Sequence, residues 1–333
     1  MLFYFKDKKT FMTKGVAEGA TWKLTESVWT ELSEITCQLV PSVEAGDFAY
    51  ATTGWLGIIS SVVKEKSVMY LKVQKIEQLF DREVCFTLGT TQPCEWTAIL
   101  YINRNFVNGT DEVYNYRFLD VKRETLEARA LKPPAENGVF NVKSYLARIR
   151  RLNQVFTSYS IEEDTLTMRI YHEVRPQKTL ITSNVPVQIV EESFGGNQVA
   201  KVSTYVYDGS GWTFADDLTH WYLLQDGTVT NDLDTATSPR AEGDWKLLNI
   251  QDEDDPEQMA RNVFAENSYT HKIVVRVPDD KAIYNFYDPV RVEIKNRVYQ
   301  TYVSRRTATS EGYTEYTFGN LKTSLMDKIN EEE

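Results

Sequence analysis

Histidine is nearly missing from this chain of 333 residues, which has only His172, His220 and His271. His172 precedes Glu173, but no second histidine stands four residues on, so the paired-histidine helix of a zinc protease is excluded. Cysteine is as scarce. Cys37, Cys85 and Cys94 have no metal-ligand spacing and an odd number forms no disulfide framework, so buried free thiols are expected. There is no Gly-x-x-x-x-Gly-Lys-Ser/Thr phosphate loop and no Gly-x-Ser-x-Gly elbow. Gly209-Ser210-Gly211 lacks the third glycine of a dinucleotide fingerprint and reads as a turn. Asp252-Glu253-Asp254-Asp255 lacks the alternation and central glycine of a calcium loop. The neighbouring carboxylates Asp216 and Asp217 point different ways and read as a solvated loop. Asn108-Gly109-Thr110 fits a glycosylation acceptor but reads as a turn where no secretory signal is present. The expectation is a protein that is not an enzyme, with no catalytic, cofactor-binding or metal-binding residues to name.

Long apolar runs are absent too, and none approaches the roughly 20 residues that cross a bilayer, so no membrane insertion is expected. Met1 to Phe5 is apolar, but Lys6 ends it, without the basic start and full apolar stretch of a signal peptide. Synthesis in a reducing cytoplasm is the default. Cationic excess is missing: 37 basic against 48 acidic residues leave a net charge of −11. That argues against duplex binding, which draws its affinity from cations displacing counterions. Gly at 16 and Pro at 10, without a period, exclude collagen-like and low-complexity classes. What is present is a globular composition, 42% hydrophobic and 12% aromatic. At about 150 residues per domain, two or three domains are expected.

Most of the readable signal is strand. Phe48 to Val63 is rich in aromatic and β-branched residues, interrupted by Gly54 and Gly57. Met69, Leu71 and Val73 alternate with Val68, Tyr70 and Lys72, and the connection Lys64-Glu65-Lys66 predicts a hairpin. Ile76, Leu79 and Phe80 change to helical spacing. Trp96 to Ile102 reads as a strand, Asn108-Gly109 as a turn, and Val113 to Val121 as strand again. Pro133-Pro134 with Asn137-Gly138 is the best linker. Val142, Tyr145, Leu146, Ile149, Leu152, Val155 and Phe156 then fall on one face of a helix. Lys143, Arg148, Arg150 and Arg151 decorate its other faces, either to bind phosphate or, as exposed charge does more often, to meet solvent and local acids. Leu166, Met168 and Ile170 alternate in a strand, and His172 continues their face as a core-edge or interfacial histidine rather than a ligand.

Strand chemistry returns at Thr179 to Val190 and Val199 to Tyr207. Trp221 to Leu224 leads through the turn Gln225-Asp226-Gly227 to Thr228-Val229-Thr230, and Asn231 to Asp244 reads as a surface loop. Asp255-Pro256-Glu257-Gln258 is a strong helix start, with Asp as N-cap, Pro at the first position and Gln closing a capping box. Met259, Val263 and Phe264 supply its buried stripe, and the acids before it suit the helix dipole. Four strands follow at Ile273 to Val277, Val290 to Ile294, Val298 to Val303 and Tyr313 to Phe318, a spacing that suggests a small barrel or sandwich. Gly319 ends the last of them, and Leu321, Leu325 and Ile329 mark a final amphipathic helix.

Four stretches, in this order, resemble the baseplate hub proteins of long-tailed phages, whose module also forms the N-terminal part of tail-associated, or tail-tip, proteins. They are Gly54-Trp55-Leu56-Gly57-Ile58-Ile59-Ser60 on through Tyr70-Leu71-Lys72-Val73 to Leu79-Phe80-Asp81; Asn197 to Tyr205 with Tyr222-Leu223-Leu224-Gln225-Asp226-Gly227; Asn267 to Ile273; and Val298 to Ser304 with Tyr316-Thr317-Phe318-Gly319 and Leu325 to Ile329. The resemblance spans nearly the whole chain and implies an α+β, mainly β fold. Two small β-barrel domains of tail-hub type would carry intervening α/β segments and a few amphipathic helices. The expected regions are 1–135 (N-terminal barrel), 136–250 (helix plus strands) and 251–333 (helix, barrel strands and terminal helix), with boundaries that can be discontinuous.

The resemblance further implies a homotrimer whose six barrels match a six-fold tail tube above and a three-fold tip below. A distal tail or tail tube protein would lie above, and a tail fibre, spike or lysin, as a separate chain, below. The tape measure protein and DNA would pass through the lumen without sequence-specific binding, in the virion tail tip. The high tyrosine count, 19, suits aromatic interface anchors, and Trp55 and Tyr299 are the interface candidates. Three copies carry three times −11, and acids facing the channel would keep DNA off its wall. Two other readings remain: a distal tail ring or receptor-binding-protein adaptor, and a carbohydrate-binding or carbohydrate-active tail protein. The last draws on seven tryptophans, among them Trp212, Trp221 and Trp245, which more often serve core or interface.

Overall fold

The structure, a computed structural model, describes residues 1–85, 93–109, 115–124, 139–162, 164–173, 175–182, 187–194, 197–206, 218–250, 254–294 and 297–320. Two compact units divide the chain: Met1–Val174 with Thr309–Glu311 in the first, and Arg175–Ala308 with Gly312–Ile329 in the second.

The first unit opens with six strands: β1 (Leu2–Lys6), β2 (Thr13–Ser27), β3 (Ser33–Gln38), β4 (Phe48–Ala51), β5 (Leu56–Glu65) and β6 (Val68–Lys75). They pair antiparallel in the order β1-β4-β5-β6-β3-β2, and β2 pairs back onto β1, closing a six-stranded barrel. The alternation in β6 sets its inside: Met69, Leu71 and Val73 are buried with Phe3, Phe5, Ile35 and Ile59, while Tyr70 and Lys72 face out. The β5–β6 hairpin turns at Lys66-Ser67, with Lys64 and Glu65 still in β5. The interruption near Gly54 is the turn between β4 and β5, whereas Gly57 lies within β5. A Cβ at Gly57 would stand 2.6 Å from the Gln74 carbonyl oxygen and 2.6 Å from Val73 Cγ1. Gly57→Ala is therefore expected to cost about 1–3 kcal/mol of the first unit's stability, read from its urea midpoint. An unchanged midpoint would show that β6 yields freely there.

Beyond the barrel lie a tight helical turn at Ile76–Phe80, β7 (Glu83–Cys85), α1 (Cys94–Ile102), β8 (Leu119–Arg123), β9 (Val139–Asn141), α2 (Val142–Asn153), β10 (Val155–Glu162) and β11 (Thr165–His172). Ile76, Leu79 and Phe80 are buried as their spacing predicts. Residues Trp96 to Ile102 form a helix, not the expected strand. The segment is apolar on nearly every side, with Cys94, Ala98, Ile99, Tyr101 and Ile102 all buried and Trp96 exposed, and a short run so nearly all apolar carries no periodicity to separate helix from strand. The helix ends in a wider turn at Asn103–Val107, and Asn108 closes it by donating its N–H to the Asn103 carbonyl.

Asn141 caps α2 by accepting from the Ser144 N–H, and Val142, Tyr145, Leu146 and Ile149 are buried as expected. The helix stops earlier than the stripe suggests. Gln154 takes a left-handed conformation, and Val155 and Phe156 begin β10. Lys143 and Arg150 meet local acids, Asp81 at 2.9 Å and Glu77 at 3.0 Å, which is the ordinary fate of a basic helix face.

The second unit contains β12 (Lys178–Ile181), β13 (Gln188–Phe194), β14 (Val199–Val206), β15 (Thr219–Leu223), β16 (Val229–Thr230), β17 (Asp244–Ile250), α3 (Pro256–Ala265), β18 (His271–Pro278), β19 (Pro289–Ile294), β20 (Arg297–Thr309) and β21 (Tyr313–Phe318). The Asp255 side chain caps α3 as expected, accepting from the N–H groups of Glu257 and Gln258. Six strands lie in the order β12-β19-β20-β21-β18-β13. Taken in chain order these are the first, fourth, fifth, sixth, third and second of their set, the same order as in the barrel. Two differences stand out: β12 runs parallel to β19, and among the described residues no β12–β13 pairing closes the array. Strands β14 to β17 and α3 are inserted between the second and third members. They form a separate sheet, β16-β15-β14-β17, with α3 packed on one face through Val202, Trp221, Leu223, Ala260, Val263 and Phe264. Of the expected Val113 to Val121 strand, only Leu119 to Val121 is strand, within β8; Asn115 to Phe118 lead into it through a turn, and 113–114 lie outside the described residues. The Pro133-Pro134 and Asn137-Gly138 linker, Gly209 to Gly211, Trp212, Asp216, Asp217 and the terminal helix also lie outside them.

Candidate assembly surface

One turn is built twice. In the first unit Asp47, fully buried, ends the chain's approach to β4. Its Oδ2 accepts from the Glu44 N–H at 2.8 Å and from Lys14 Nζ at 2.8 Å, and its Oδ1 accepts from the Lys8 N–H at 3.1 Å. Its own N–H donates to the Glu44 carbonyl. In the second unit Asp288 stands before β19 in the same way. Its Oδ2 accepts from the Asn285 N–H at 2.7 Å and Lys178 Nζ at 2.6 Å, its Oδ1 from Arg175 at 3.2 Å, and its N–H donates to the Asn285 carbonyl. Ile59 and Val303 hold the two turns onto the next strand with the same pair of backbone bonds. Ile59 N–H donates to Asp47 O and Gly46 N–H to Ile59 O; Val303 N–H donates to Asp288 O and Tyr287 N–H to Val303 O.

The residue before each aspartate has positive φ, 93° at Gly46 and 66° at Tyr287. Directly after each anchor the strand bulges, and the bulged serine reaches across: Ser60 Oγ donates to Lys72 O at 2.9 Å and Ser304 Oγ to Thr317 O at 3.1 Å. A buried carboxylate satisfied by cations and backbone N–H groups is a structural pin, since leaving either partner alone in the interior is costly.

The two interface candidates fall in different units. Trp55 lies in the turn between β4 and β5, half-buried against the barrel core. Tyr299, on β20, is 8% exposed; its ring stacks on Phe194 at 5.2 Å and lies 5.0 Å from His271. Of the tryptophans, Trp221 is buried against α3, and that burial withdraws it from any sugar-stacking groove, whereas Trp245 is 57% exposed.

Of the three thiols, Cys37 and Cys94 are buried as expected and Cys85 is exposed, a correction to the uniform expectation. Burial pushes the Cys37 thiol up to about 12. Burial also pushes the Glu77 carboxyl up, but Arg150 and Lys75 beside it prevail and hold it below the usual carboxylate range. Ser203 Oγ lies 2.6 Å from His220 Nδ1, an approach that invites a nucleophile reading. Ser203 is fully buried and also accepts from Trp245 Nε1 at 2.8 Å, so the pair fixes the indole and offers no hydroxyl to solvent.

Sequence reading missed β17 and with it the open face of the inserted sheet. Opposite α3, Lys201, Tyr222 and Trp245 stand in one row across β14, β15 and β17, and Ser203, His220 and Leu247 in the next. Lys201 Nζ lies 5.3 Å from the Trp245 ring centre and 5.7 Å from that of Tyr222; the Arg240 guanidinium lies 5.3 Å from Tyr222. The arrangement is a fixed aromatic surface carrying two cations, suited to contact rather than to bond-making.

No family model and no curated protein matches the chain. Among solved structures, prophage tail protein gp18 from Listeria monocytogenes EGD-e superposes with a TM-score of 0.54 at 11% identity, covering 99% of this chain and 98% of that one. The 43 kDa tail protein of prophage MuSo2 from Shewanella oneidensis aligns at 0.49 and 10% identity over 96% and 98%. The phage P2 baseplate in its activated conformation aligns at 0.47 and 12% identity over 97% and 99%. The Listeria match shows a shared fold, and at that identity the fold is all it shows. Structural similarity to a prophage tail protein thus runs over nearly the full length, as the sequence resemblance implies.

Proposed function

We propose that this chain is a structural protein of a bacteriophage tail, the baseplate hub, working as a ring of three copies around the DNA channel. The observation that carries the reading is the duplication: one strand order and one buried-aspartate turn, each present twice in a chain. Two like units per chain become six in a trimer, which is the number needed to meet a six-fold tube while presenting three-fold symmetry to the tip. On this reading the β12-to-β13 array serves as a second barrel. A distal tail or tail tube protein stacks above, a fibre, spike or lysin docks below, and the tape measure protein and DNA traverse the lumen without sequence readout. The fold shared with the Listeria prophage tail protein supports it.

Light scattering of the purified protein at micromolar concentration is expected to give three times 38.4 kDa, with three-fold class averages in negative stain. A persistent monomer would sink the reading. A closed hexamer would move it to a distal tail ring.

A further inference from the structure

The open face of the inserted sheet joins exposed apolar area to cationic charge that no acid meets. Trp245 and Leu247 on the edge strand β17 are 57% and 49% exposed. Register puts them on one face with the charge: Tyr222, Lys201 and Trp245 make one row, His220, Ser203 and Leu247 the next, and neither row holds a carboxylate. Asp244 and Lys246 alternate to the α3 side, where Lys246 pairs with Glu266 at 3.6 Å. Lys201 Nζ lies within 6 Å of both row aromatics, at 5.7 Å from Tyr222 and 5.3 Å from Trp245, and the Arg240 guanidinium lies 5.3 Å from Tyr222. Among the described residues neither cation enters an ion pair, in a chain whose net charge is −11. Burial and the Lys201 charge hold the His220 imidazole below its ordinary value, with no carboxylate among the described residues offsetting them. The surface is also fixed. Trp245 donates its Nε1–H to Ser203 Oγ, which lies 2.6 Å from His220 Nδ1, so the indole keeps its orientation and presents carbon rather than an N–H.

We infer that this face docks an acidic peptide segment of another protein, with an apolar side chain seated on Trp245 and Leu247 and carboxylates on Lys201 and Arg240. The chemistry selects the occupant. The hydroxyls of a sugar chain need acceptors as well as donors, and the two rows hold neither carboxylate nor amide to accept from them. Nucleic acid is opposed by the net negative charge of the chain and leaves Leu247 uncovered. The same face of a second copy is opposed as well, because Lys201 and Arg240 would meet themselves. A peptide brings the apolar group and the anions together, and a fixed aromatic anchor loses little freedom when it docks. The inference goes beyond the three-copy reading and does not depend on it, since a monomer offers the same face.

The test selects from a library of random peptides on the full-length protein. Sequences enriched on the wild type are expected to join acidic residues to an aliphatic or aromatic one. A fluorescein-labelled synthetic copy of the strongest then gives the affinity by anisotropy. Trp245→Ala is expected to weaken it by about thirtyfold, the loss of a tryptophan anchor at the centre of a contact. Lys201→Glu with Arg240→Glu is expected to abolish it and, in a fresh selection, to turn the enriched sequences basic. Circular dichroism checks folding. Should the double variant misfold, Arg240→Glu alone replaces it, with weakening of wild-type binding as salt rises for the second readout. No enrichment, enrichment without acidic residues, or equal binding by wild type and variants overturns the inference. Tighter binding of polygalacturonate or of a single-stranded oligonucleotide than of the peptide overturns it and gives the face to another polyanion. A wild-type assembly that falls apart in the glutamate variants overturns it and gives the face to a second copy of this chain. A monomeric wild type that binds the peptide removes the three-copy reading and leaves this one standing.

Discussion

Asp47→Ala is expected to lower the unfolding free energy of the first unit by about 3–5 kcal/mol, and Asp288→Ala to do the same to the second. An exposed ion pair would contribute little, about 0–1 kcal/mol. These carboxylates differ because their side chains are 0% and 3% exposed and serve backbone as well as cations. Alanine at position 47 leaves the N–H groups of Lys8 and Glu44 without their acceptor, and the ammonium of Lys14 with only the longer contact to Asp7 at 3.5 Å among those to the two aspartates, in a mostly buried site. Alanine at position 288 takes the acceptor from the Asn285 N–H and leaves Lys178 and Arg175 with the Ile283 and Phe286 carbonyls in place of a carboxylate. Asparagine keeps an acceptor for the N–H groups but not the charge for the lysine, so Asp47→Asn and Asp288→Asn should fall between wild type and alanine. Denaturant unfolding gives the size of each loss, and amide exchange in β5 and β20 tells which unit has lost it. A loss under about 1 kcal/mol at either position would mean that its turn is held by backbone bonds alone.

This pair of turns is also where sequence reading ran out. Glu44-Ala45-Gly46-Asp47-Phe48 and Asn285-Phe286-Tyr287-Asp288-Pro289 agree at one position, the aspartate. The rest of the turn is backbone hydrogen bonding, which almost any side chain permits, and even the positive φ is met by glycine once and tyrosine once. The serines that cross the bulges lie 13 and 16 residues beyond their aspartates, so no fixed spacing betrays them. The repeat lives in topology, and the phage-hub resemblance, rather than any periodicity, was what pointed to two like modules.

Elsewhere legibility followed locality. Strands β18, β19 and β21 and the start of α3 were visible because alternation, turn residues and an N-cap are written within a few residues. Strand β2 was not. Its Gly15, Ala17, Gly19 and Ala20 give it no apolar stripe, and it is a strand because β1 and β3 pair with it. The candidate contact surface was half legible. Trp245 stood out as a residue, but its exposure depends on β17 lying at the edge of a sheet whose other face is taken by α3, a three-dimensional fact. Tyr299 stands out in the sequence for its chemistry, but its stacking on Phe194 of β13 is set by the pairing of strands.

The second unit should lose stability on mild acidification through His271. This imidazole is fully buried beneath Gly319, whose left-handed backbone, φ 77°, leaves no room there for a side chain. Its Nδ1 lies 3.3 Å from Thr270 Oγ1, its ring packs against Tyr299, and its Nε2 has no hydrogen-bond partner among the described residues. Burial of the ring brings its pKa down to about 4 from the ordinary 6.5, because the charged form would have to be desolvated. The unfolded chain then binds a proton that the folded chain refuses. The stabilisation is complete above pH 6.5, is lost progressively as pH falls toward 4, and changes no further below that. A fall from 6.5 to about 4 corresponds to about 3 kcal/mol. His220 shifts in the same direction through burial and Lys201, but it is half exposed and adds less. His271→Phe keeps an aromatic ring beside Tyr299 and removes the titration. Amide exchange of β18 and β21 is expected to quicken between pH 7 and 4.5, after correction for the intrinsic pH dependence of exchange, in the wild type and far less in His271→Phe, with β5 and β6 as the internal control. Equal acid sensitivity in both proteins would mean that His271 already finds room for its proton, and that carboxylates set the acid limit of this unit.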